Sequence, residues 1–369
     1  MGDLATVLRE SWGLVDDRRD RVAERFYARL FLDDPQLRDL FPVHMDVQRE
    51  RLVGAIVAAV RTFGDRERVD AYLRALGRDH RKYHVRPEHF GRVKTALLEA
   101  IRHHAGEDWT GVHEQAWNDV YDFIADRMTA GAADDTDPPY WHAEVLSHER
   151  RGPDVAVFTC RPLQPLRFRA GQYLSVECGY RPRLWRTYSV ANAPRPAGTL
   201  DFHVRDTGGW VSSALVRLLR PGDMLRLAAP MGSMTLDPHS RRDVVFVTGG
   251  TGLAPVKAML DELTRYNRTR WVHLFRGERR GDGFYDRAHL DGIAARYPYL
   301  SIVRAASDDP DFPGEHGPIS EVVGRHGPWR DHDFYVAGPA PMVQATLHRL
   351  AEMGVPATRV RYDAFTGAE

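Results

Sequence analysis

The sequence predicts a multi-domain protein in which an all-α segment precedes an antiparallel β-barrel, which in turn precedes an α/β doubly wound parallel sheet. Three patterns support this fold class. Apolar residues first recur at helical spacing, as in Val22-Phe26-Leu30. Short strand-like runs separated by glycine and proline turns come next. Strands then alternate with helices, which is typical of a parallel sheet covered on both faces.

The helical pattern runs from Leu4 to Met128 and is followed by a small, acidic, proline-ended stretch, GAADDTDPP, which is typical of a domain linker. Barrel strands are predicted at 141–146, 154–160, 172–178, 200–204 and 224–228, and sheet strands at 244–248, 271–275, 300–305 and 334–337. We therefore expect a helical domain over 1–132, a linker over 133–139, a barrel over 140–238 and a parallel-sheet domain over 239–369.

The composition argues against several classes of protein. The 51 basic side chains balance the 51 acidic ones, so no global positive field favours nucleic acid. Cys160 and Cys178 have the spacing of neither a metal site nor a redox pair. The N-terminus lacks a signal-peptide pattern, and no apolar stretch approaches the roughly 18 residues of a membrane span. We expect a cytoplasmic monomer that binds small molecules.

A glycine turn follows the first predicted strand of the parallel sheet. Val244–Thr248 runs directly into Gly249, Gly250, Thr251 and Gly252, after which a helix begins. Glycines allow the backbone to approach a ligand closely, and the free amides at a helix start favour phosphate. Gly338 and Pro339 end a later strand in the same way and should lie beside the same ligand. The pattern indicates a dinucleotide site, although such a turn can also only pack a helix on a sheet.

A second group of residues has the chemistry of a flavin site. Arg186 can pair with a pyrophosphate, Tyr188 can lie on a ring, and Ser189 can hydrogen-bond a ring nitrogen. Strict strand alternation cannot aim all three at one point, so a bend is expected where the strand ends at Ala191–Pro194. The turn Gly208–Ser213 leads into a helix whose first amides suit another phosphate. The alternative is an ordinary barrel strand and a structural turn.

These motifs occur in the order found in the ferredoxin-NADP reductase-like family, which the C-terminal part of the chain resembles. The motifs are Gly171-Gln172-Tyr173, RTYS, GGWVSS, GGTGLAP, AGP and the terminal Tyr362–Phe365. The resemblance implies FAD on the barrel, NAD(P)H on the sheet and hydride transfer between them. Phe365 would then cover the flavin until nicotinamide displaces it. The residues assigned to FAD by this resemblance are Tyr173, Arg186, Thr187, Tyr188, Ser189, Gly209, Val211 and Ser212.

Two features of this part of the chain leave nicotinamide binding open. Ala337 stands before Gly338 where many relatives carry Cys, a departure that concerns the positioning of the nicotinamide. Arg276, Arg279 and Arg280 follow the second sheet strand, where a 2′-phosphate would sit. The same three arginines are equally interpretable as a solvated charge run. The choice between NADH and NADPH therefore remains open at this stage.

The helical segment contains four residues that together suit a haem pocket. Tyr27 lies on an otherwise apolar face, Phe41 follows the second helix, Gln48 begins the next one, and His80 comes later. An imidazole can bind haem iron from one side while Tyr and Gln hydrogen-bond oxygen on the other. Taken singly, each residue is also explained by packing in a helical core.

With the C-terminal motifs, these residues make the whole chain resemble the flavohaemoglobins, in which a globin precedes an FAD and NAD(P)H module. The sequences FYARLF, DPQL, LF and QRERL match the distal half of the globin, and His80 with VRPEH matches the proximal half. The resemblance implies haem b, with His80 as the proximal iron ligand and Tyr27 and Gln48 lining the oxygen pocket. By the same resemblance, Phe41 and Leu52 pack on the haem.

The proximal half departs from the family pattern. Well-known members have a Tyr and a Glu that hydrogen-bond the proximal His, whereas this chain has Phe90 and Ala132 there, with Asp134 and Asp135 nearby. Such partners tune a metal ligand strongly. Asp79 stands where a Lys often meets a haem propionate. His84, one turn after His80, is a rival ligand that should point away along the helix.

The resemblance implies NAD(P)H-driven nitric oxide dioxygenation, in which nitric oxide is oxidised to nitrate with O2. Three alternatives stay open. A peroxide-linked oxidoreductase would keep the electron relay but use another oxidant. A gas sensor or oxygen-binding globin would use the reductase only to keep its iron ferrous. A reductase that serves a partner protein would use the globin for docking.

Overall fold

The structure is a computed structural model that describes residues 2–62, 66–267 and 269–365. It divides into two compact units, Met1–Tyr140 and Trp141–Glu369. The order of helical, barrel and parallel-sheet segments confirms the predicted fold class. Among the described helices, none is long and apolar enough to cross a membrane.

The described part of the first unit is built from α-helices joined by short turns, several of them 3₁₀. Phe26 and Leu30 on one face of the second helix are buried against Leu8, Ile101 and Trp117 from other helices, because apolar residues at helical spacing share one face. The helices are α1 (Gly2–Gly13), α2 (Arg19–Asp33), α3 (Asp46–Thr62), α4 (Arg66–His80), α5 (Pro87–Ala105) and α6 (Gly111–Ala133).

Helices α4 and α6 approach each other at two glycines. A Cβ atom on Gly77 of α4 would lie 2.0 Å from the Met128 carbonyl oxygen of α6. A Cβ on Gly131 of α6 would lie 2.2 Å from the Arg74 carbonyl oxygen of α4. The two backbones are therefore in direct contact, and only glycine leaves room for that contact.

The second unit begins with an antiparallel barrel whose strands follow the order β4-β3-β6-β1-β2-β5. A bridge between Val190 and Phe202 joins the end of β4 to β5 and nearly closes the barrel. Phe158 and Phe202 stack in its interior with ring centroids 5.3 Å apart. The elements are β1 (Trp141–Arg150), β2 (Val155–Pro162), β3 (Tyr173–Cys178), β4 (Arg186–Ser189), β5 (Leu200–Arg205), α7 (Trp210–Arg217) and β6 (Met224–Leu227).

The remainder of the unit is a parallel sheet with the order β10-β9-β8-β7-β11-β12. Successive residues of β7 enter different cores, Val244 and Phe246 on one face and Val245 and Val247 on the other. The elements are β7 (Asp243–Gly249), α8 (Leu253–Tyr266), β8 (Val272–Glu278), α9 (Arg287–Arg296), β9 (Leu300–Ala306), β10 (Glu315–His316), α10 (Ile319–His326), β11 (His332–Pro339), α11 (Ala340–Glu352) and β12 (Val360–Phe365).

A buried imidazole joins the barrel to the sheet. His203 of β5 is 3% exposed, and its Nδ1 shares a 3.1 Å hydrogen bond with the hydroxyl of Tyr285, in the loop before α9. Its other ring nitrogen has no hydrogen-bond partner among the described residues. Burial, aided by the charge of Lys257, lowers the pKa of His203 to about 3. The ring is therefore neutral in the folded protein at ordinary pH.

This pKa predicts a pH dependence of stability. Unfolding returns His203 to its ordinary pKa near 6.5, so between pH 6.5 and 3 the unfolded chain binds a proton that the folded chain does not. The stability that His203 contributes is present above pH 6.5 and falls by up to about 1.4 kcal/mol per pH unit below it. Denaturant titrations of wild type and His203→Gln from pH 7.5 to 4.5 measure this, and the variant should lose stability less steeply. Equal slopes would contradict the prediction.

Candidate functional site

The predicted distal residues lie together in one aromatic cluster of the helical unit. The Tyr27 hydroxyl donates a 3.3 Å hydrogen bond to the Gln48 main-chain carbonyl. The Tyr27 ring lies 5.5 Å from the Phe41 ring and 5.8 Å from the Phe31 ring, measured between centroids. Leu52 is half-buried against the same core. The structure thus brings Tyr27, Phe41 and Gln48 together.

Burial controls the protonation of Tyr27. The side chain is 6% exposed, and the loss of water around it raises the pKa of Tyr27 to about 12. The hydroxyl therefore keeps its proton across the physiological range and remains a hydrogen-bond donor. Arg38 lies beside this cluster: it donates to the carbonyls of Phe41, Pro42 and Val43, and its guanidinium lies 5.5 Å from the Phe31 centroid.

His80 is the last residue of α4, and its ring has one nitrogen occupied and one available. Nδ1 donates a 2.8 Å hydrogen bond to the Leu76 carbonyl. No described residue hydrogen-bonds Nε2. Because Nδ1 carries the proton in this arrangement, Nε2 presents a lone pair, which is the tautomer that a metal requires. Burial lowers the pKa of His80 and so favours the neutral ring.

The residues around His80 explain the departures from the family pattern. Asp134 pairs with Arg74 at 2.6 Å and Asp135 with Arg81 at 2.9 Å, so these carboxylates bind arginines. Phe90 packs on the helical core. The partner of His80 Nδ1 is consequently a neutral carbonyl from its own helix. An imidazole whose Nδ1–H group donates to a carbonyl is less basic than one whose Nδ1–H group donates to a carboxylate.

Two further proximal positions have clear surroundings. Lys82 reaches back to Asp79, with Nζ 2.6 Å from the carboxylate and its side chain 4% exposed. Asp79 occupies the sequence position at which the family pattern has a Lys, and the Lys82 ammonium lies beside it. His84 is exposed, has a left-handed backbone (φ 56°), and packs edge-on against Tyr140.

Strand β4 presents the predicted flavin residues on two faces. Arg186 and Tyr188 are partly buried on one face, Thr187 is exposed, and Ser189 is 6% exposed on the other. Tyr173 of β3 pairs with Ser189 and contacts the loop at Met231 and Gly232. The face separation is the one that the sequence pattern predicts.

A carboxylate that the sequence reasoning did not single out contacts Ser189. Burial raises the pKa of the Asp363 carboxyl in β12, and the nearby Ser189 hydroxyl opposes that rise. Phe365, two residues further on, ends β12 opposite Pro339 of β11. No sequence pattern links β4 to β12, so only the tertiary structure shows that Phe365 lies on a strand beside the flavin motif.

The second turn of the barrel places three predicted residues at the start of α7. Gly209 is its N-cap, and Val211 and Ser212 are buried in its first turn. The Ser212 hydroxyl donates to the Gly209 carbonyl at 3.1 Å, and the Thr207 amide donates to the Ser212 hydroxyl at 3.3 Å. These bonds fix the turn, and the first amides of the helix lack acceptors within it.

The glycine turn of the parallel sheet lies where β7 and β11 adjoin. Gly250 has φ 56°, and a Cβ on Gly252 would lie 2.1 Å from the Ala337 carbonyl oxygen. Gly338 has φ 150° and packs on the Gly249 backbone, while Pro339 is exposed beside it. Thr251 is partly exposed at the turn. The structure therefore brings all six predicted residues together at the carboxyl edge of the sheet, where α/β sheets bind ligands.

Arg276 is a correction to the idea of a solvated charge run. Its side chain is 0% exposed, and Nη1 donates a 2.5 Å hydrogen bond to the Tyr285 carbonyl. Arg279 and Arg280 are exposed as that interpretation expected. Arg276 shares the buried face of β8 with Val272 and Leu274, and this period-two pattern was the signal that could have revealed its burial.

The fold and these sites define a globin joined to an FAD- and NAD-binding oxidoreductase. Residues 24–128 match the Globin family, residues 142–236 the oxidoreductase FAD-binding domain, and residues 246–348 the oxidoreductase NAD-binding domain. The chain belongs to the flavohaemoglobin family, and its cofactors are haem, FAD and NAD(P)H.

Individual relatives support this assignment. The chain is 29% identical to a flavohemoprotein of Bordetella pertussis over 95% of each sequence. It is 32% identical to a terephthalate 1,2-dioxygenase reductase component of a Comamonas species, over 60% of this chain and 67% of that relative. A crystal structure of a flavohemoglobin from Malassezia yamatoensis has the same fold, with a TM-score of 0.79, 18% identity and 99% coverage of both chains.

Proposed function

We propose that this protein is an NAD(P)H-dependent nitric oxide dioxygenase that oxidises nitric oxide to nitrate with O2. The observation that carries the proposal is the buried, protonated Tyr27 hydroxyl beside Gln48 in a pocket of aromatic rings. In the structure this proton is donated to the Gln48 carbonyl; turned toward a bound reactant, the same hydroxyl would stabilise the negative charge that develops there. In the assignment that we propose, the haem domain spans 1–132, the linker 133–139, the FAD barrel 140–238 and the NAD(P)H domain 239–369.

The residues present fit the three cofactors. His80 offers Nε2 to a haem iron because Nδ1 is engaged by Leu76, and Leu52 and Phe41 supply apolar surface. When bound, haem supplies an iron centre for oxygen, NAD(P)H supplies a hydride, and flavin converts that hydride into single electrons. Phe31 and Phe41 flank Tyr27 and exclude water from its hydroxyl.

In the reductase, each proposed residue acts on one part of a cofactor. Arg186 and the first amides of α7 would neutralise the FAD pyrophosphate, and Tyr188 and Phe365 would supply aromatic surface for the flavin ring. The Ser189 hydroxyl, with Asp363 beside it, would hydrogen-bond the flavin. The turn Gly250–Gly252 holds the dinucleotide phosphates.

One experiment tests the proposed reaction. Purified protein with haem and FAD is mixed with NADH, O2 and nitric oxide, and nitric oxide loss, NADH oxidation and nitrate are followed together. We expect rapid loss of nitric oxide with nitrate as its product and half as much NADH consumed, since NADH carries two electrons. Slow turnover or a different product would refute the proposal.

The neutral partner of His80 favours a second candidate, an oxygen-binding globin or gas sensor. A carbonyl on Nδ1 donates less electron density than a carboxylate, which weakens activation of oxygen at the iron. Slow nitrate formation combined with tight oxygen binding would support this candidate.

Tyr27→Phe is expected to accelerate oxygen release. The change removes the hydroxyl but keeps the ring that contacts Phe41. Loss of a hydrogen bond to a charged acceptor costs about 1.5–3 kcal/mol, so the oxygen off-rate should rise about 10- to 100-fold. Stopped-flow displacement of oxygen measures the rate, with Tyr72→Phe on the exposed face of α4 as the control. An unchanged off-rate would remove Tyr27 from the oxygen pocket.

A further inference from the structure

The end of β8 carries a buried charged pair that the cofactor motifs do not account for. Arg276 and Glu278 lie on the same face of the strand, and their side chains are 0% and 5% exposed. The Arg276 Nη2 and Glu278 Oε1 atoms are 3.6 Å apart, too far for a good hydrogen bond. Neither atom has a hydrogen-bond partner among the described residues. Glu278 Oε1 is therefore a buried hydrogen-bond acceptor that no donor among the described residues reaches.

Glu278 lies beside the phosphate-binding turn. It is the last residue of β8, and Gly277 before it pairs with Gly249 of β7. The Gly250 amide is close enough to the Glu278 carboxyl group to lower its pKa. On the other side, a Cβ on Gly283 would lie 3.1 Å from Glu278 Oε2. The Glu278 side chain therefore lies at the C-terminal end of β8, next to the glycine turn that follows β7.

Two arginines hold the carboxylate in place. Arg205 of the barrel has Nη2 3.8 Å from Glu278 Oε2, and its Nη1 lies 3.4 Å from where a Cβ on Gly250 would be. Arg276 approaches Oε1 from within the sheet. Burial raises the pKa of Glu278, and the charges of Arg276 and Arg205 oppose that rise. The carboxylate is fixed between two cations, although neither of them satisfies Oε1.

An acidic side chain at the end of the second strand of the parallel sheet, here β8, can recognise the ribose of a dinucleotide. Its oxygen accepts a hydrogen bond from the 2′-hydroxyl of NADH, and its charge repels the 2′-phosphate of NADPH. We propose that Glu278 is the residue that selects NADH over NADPH in this protein. The proposal gives the exposed Arg279 and Arg280 beyond it no role in binding a 2′-phosphate; in the structure Arg280 approaches Asp282 at 3.9 Å. The inference depends on the NAD-binding domain and is independent of the oxidant used by the haem.

Equilibrium binding of NAD+ and NADP+ to the haem- and FAD-loaded protein tests the proposal without turnover. Calorimetric titration of wild type should give at least about tenfold tighter binding of NAD+, a difference of about 1.4 kcal/mol. Glu278→Gln keeps the shape, removes the charge, and should reduce this preference at least tenfold, mainly through tighter NADP+ binding.

Asp282→Asn is the matched control, because it removes the same charge from an 82% exposed side chain in the turn that follows Glu278. Its preference should stay within twofold of wild type. Three results would overturn the proposal: wild type that binds NADP+ as tightly as NAD+, an unchanged preference in Glu278→Gln, or an equal shift in Asp282→Asn. If Glu278→Gln does not fold, two other measurements decide: the ratio of NAD+ to NADP+ affinity in the wild type, and the NADP+ affinity of Arg280→Gln. A loss of NADP+ affinity in Arg280→Gln would assign the 2′-phosphate to that arginine and overturn the proposal. Because no nitric oxide or oxygen is used, failure here is separate from failure of the proposed reaction.

Discussion

His80→Ala is expected to abolish stable haem binding while leaving the flavin in place. The imidazole is the candidate iron ligand whose Nε2 is unengaged and whose tautomer is fixed by the bond to Leu76. Loss of a partner outside the ligand set already costs about 10- to 100-fold in metal affinity, and loss of the ligand itself costs more. Haem transfer to an excess of acceptor globin, followed at the Soret band, should be more than about 100-fold faster than in wild type.

His84→Ala is the control for this experiment. His84 is exposed and packs on Tyr140, so its removal should leave the Soret spectrum and the haem transfer rate unchanged. Added imidazole should restore a six- or five-coordinate haem spectrum in His80→Ala, because it fills the vacated space. If His84→Ala loses haem and His80→Ala keeps it, the assignment of the ligand is wrong.

Gly77→Ala is expected to destabilise the helical unit strongly. The new Cβ would lie 2.0 Å from the Met128 carbonyl oxygen, a backbone atom that cannot move without shifting α6. Overpacking of this kind costs about 1–3 kcal/mol and occasionally more. Urea unfolding monitored by haem absorbance and helical circular dichroism should show this loss, and Gly131→Ala should behave in the same way because its Cβ meets the Arg74 backbone.

Gly91→Ala provides the opposite control within the same unit. Gly91 lies in α5, and nothing is within 4 Å of the position that a Cβ would occupy. Since glycine is about 1 kcal/mol less favourable than alanine inside a helix, this variant should be slightly more stable than wild type. Equal stability of Gly77→Ala and Gly91→Ala would show that α4 and α6 do not meet as described.

The sequence was most informative where one local pattern determines the structure. The run Val244–Thr248 followed by glycines predicted β7 and its turn, because a buried parallel strand is continuously apolar and the turn needs glycine. The two-residue β10 and the half-buried β12 were not among the predicted strands. β10 is too short to form a pattern, and β12 has no fully buried residue, so neither shows the continuous apolar run of a central parallel strand; each pairs with the strand before it, β9 or β11.

The site was predictable in its residue types but not in its partnerships. The positions of Tyr27 and Gln48 indicated a shared pocket, yet the bond to the Gln48 main-chain carbonyl depends on how α2 packs on α3. The contact of Ser189 with Asp363 joins the barrel to the last strand of the sheet. The burial of Arg276 was hidden because a charged residue at a core position contradicts the usual hydrophobic pattern.

Arg81 directly follows His80, and its guanidinium is anchored on the segment that leaves α6. Nη1 contacts the Asp135 carboxylate at 2.9 Å, and Nη2 donates to the Asp137 carbonyl at 2.5 Å. Through these two contacts Arg81 links the residue that precedes it, His80, to the segment that leaves α6. If His80 binds the haem iron as we propose, a displacement of His80 that carries Arg81 with it would break these contacts or shift residues 135–137. The candidate ligand and the end of the helical unit are therefore connected through one guanidinium group.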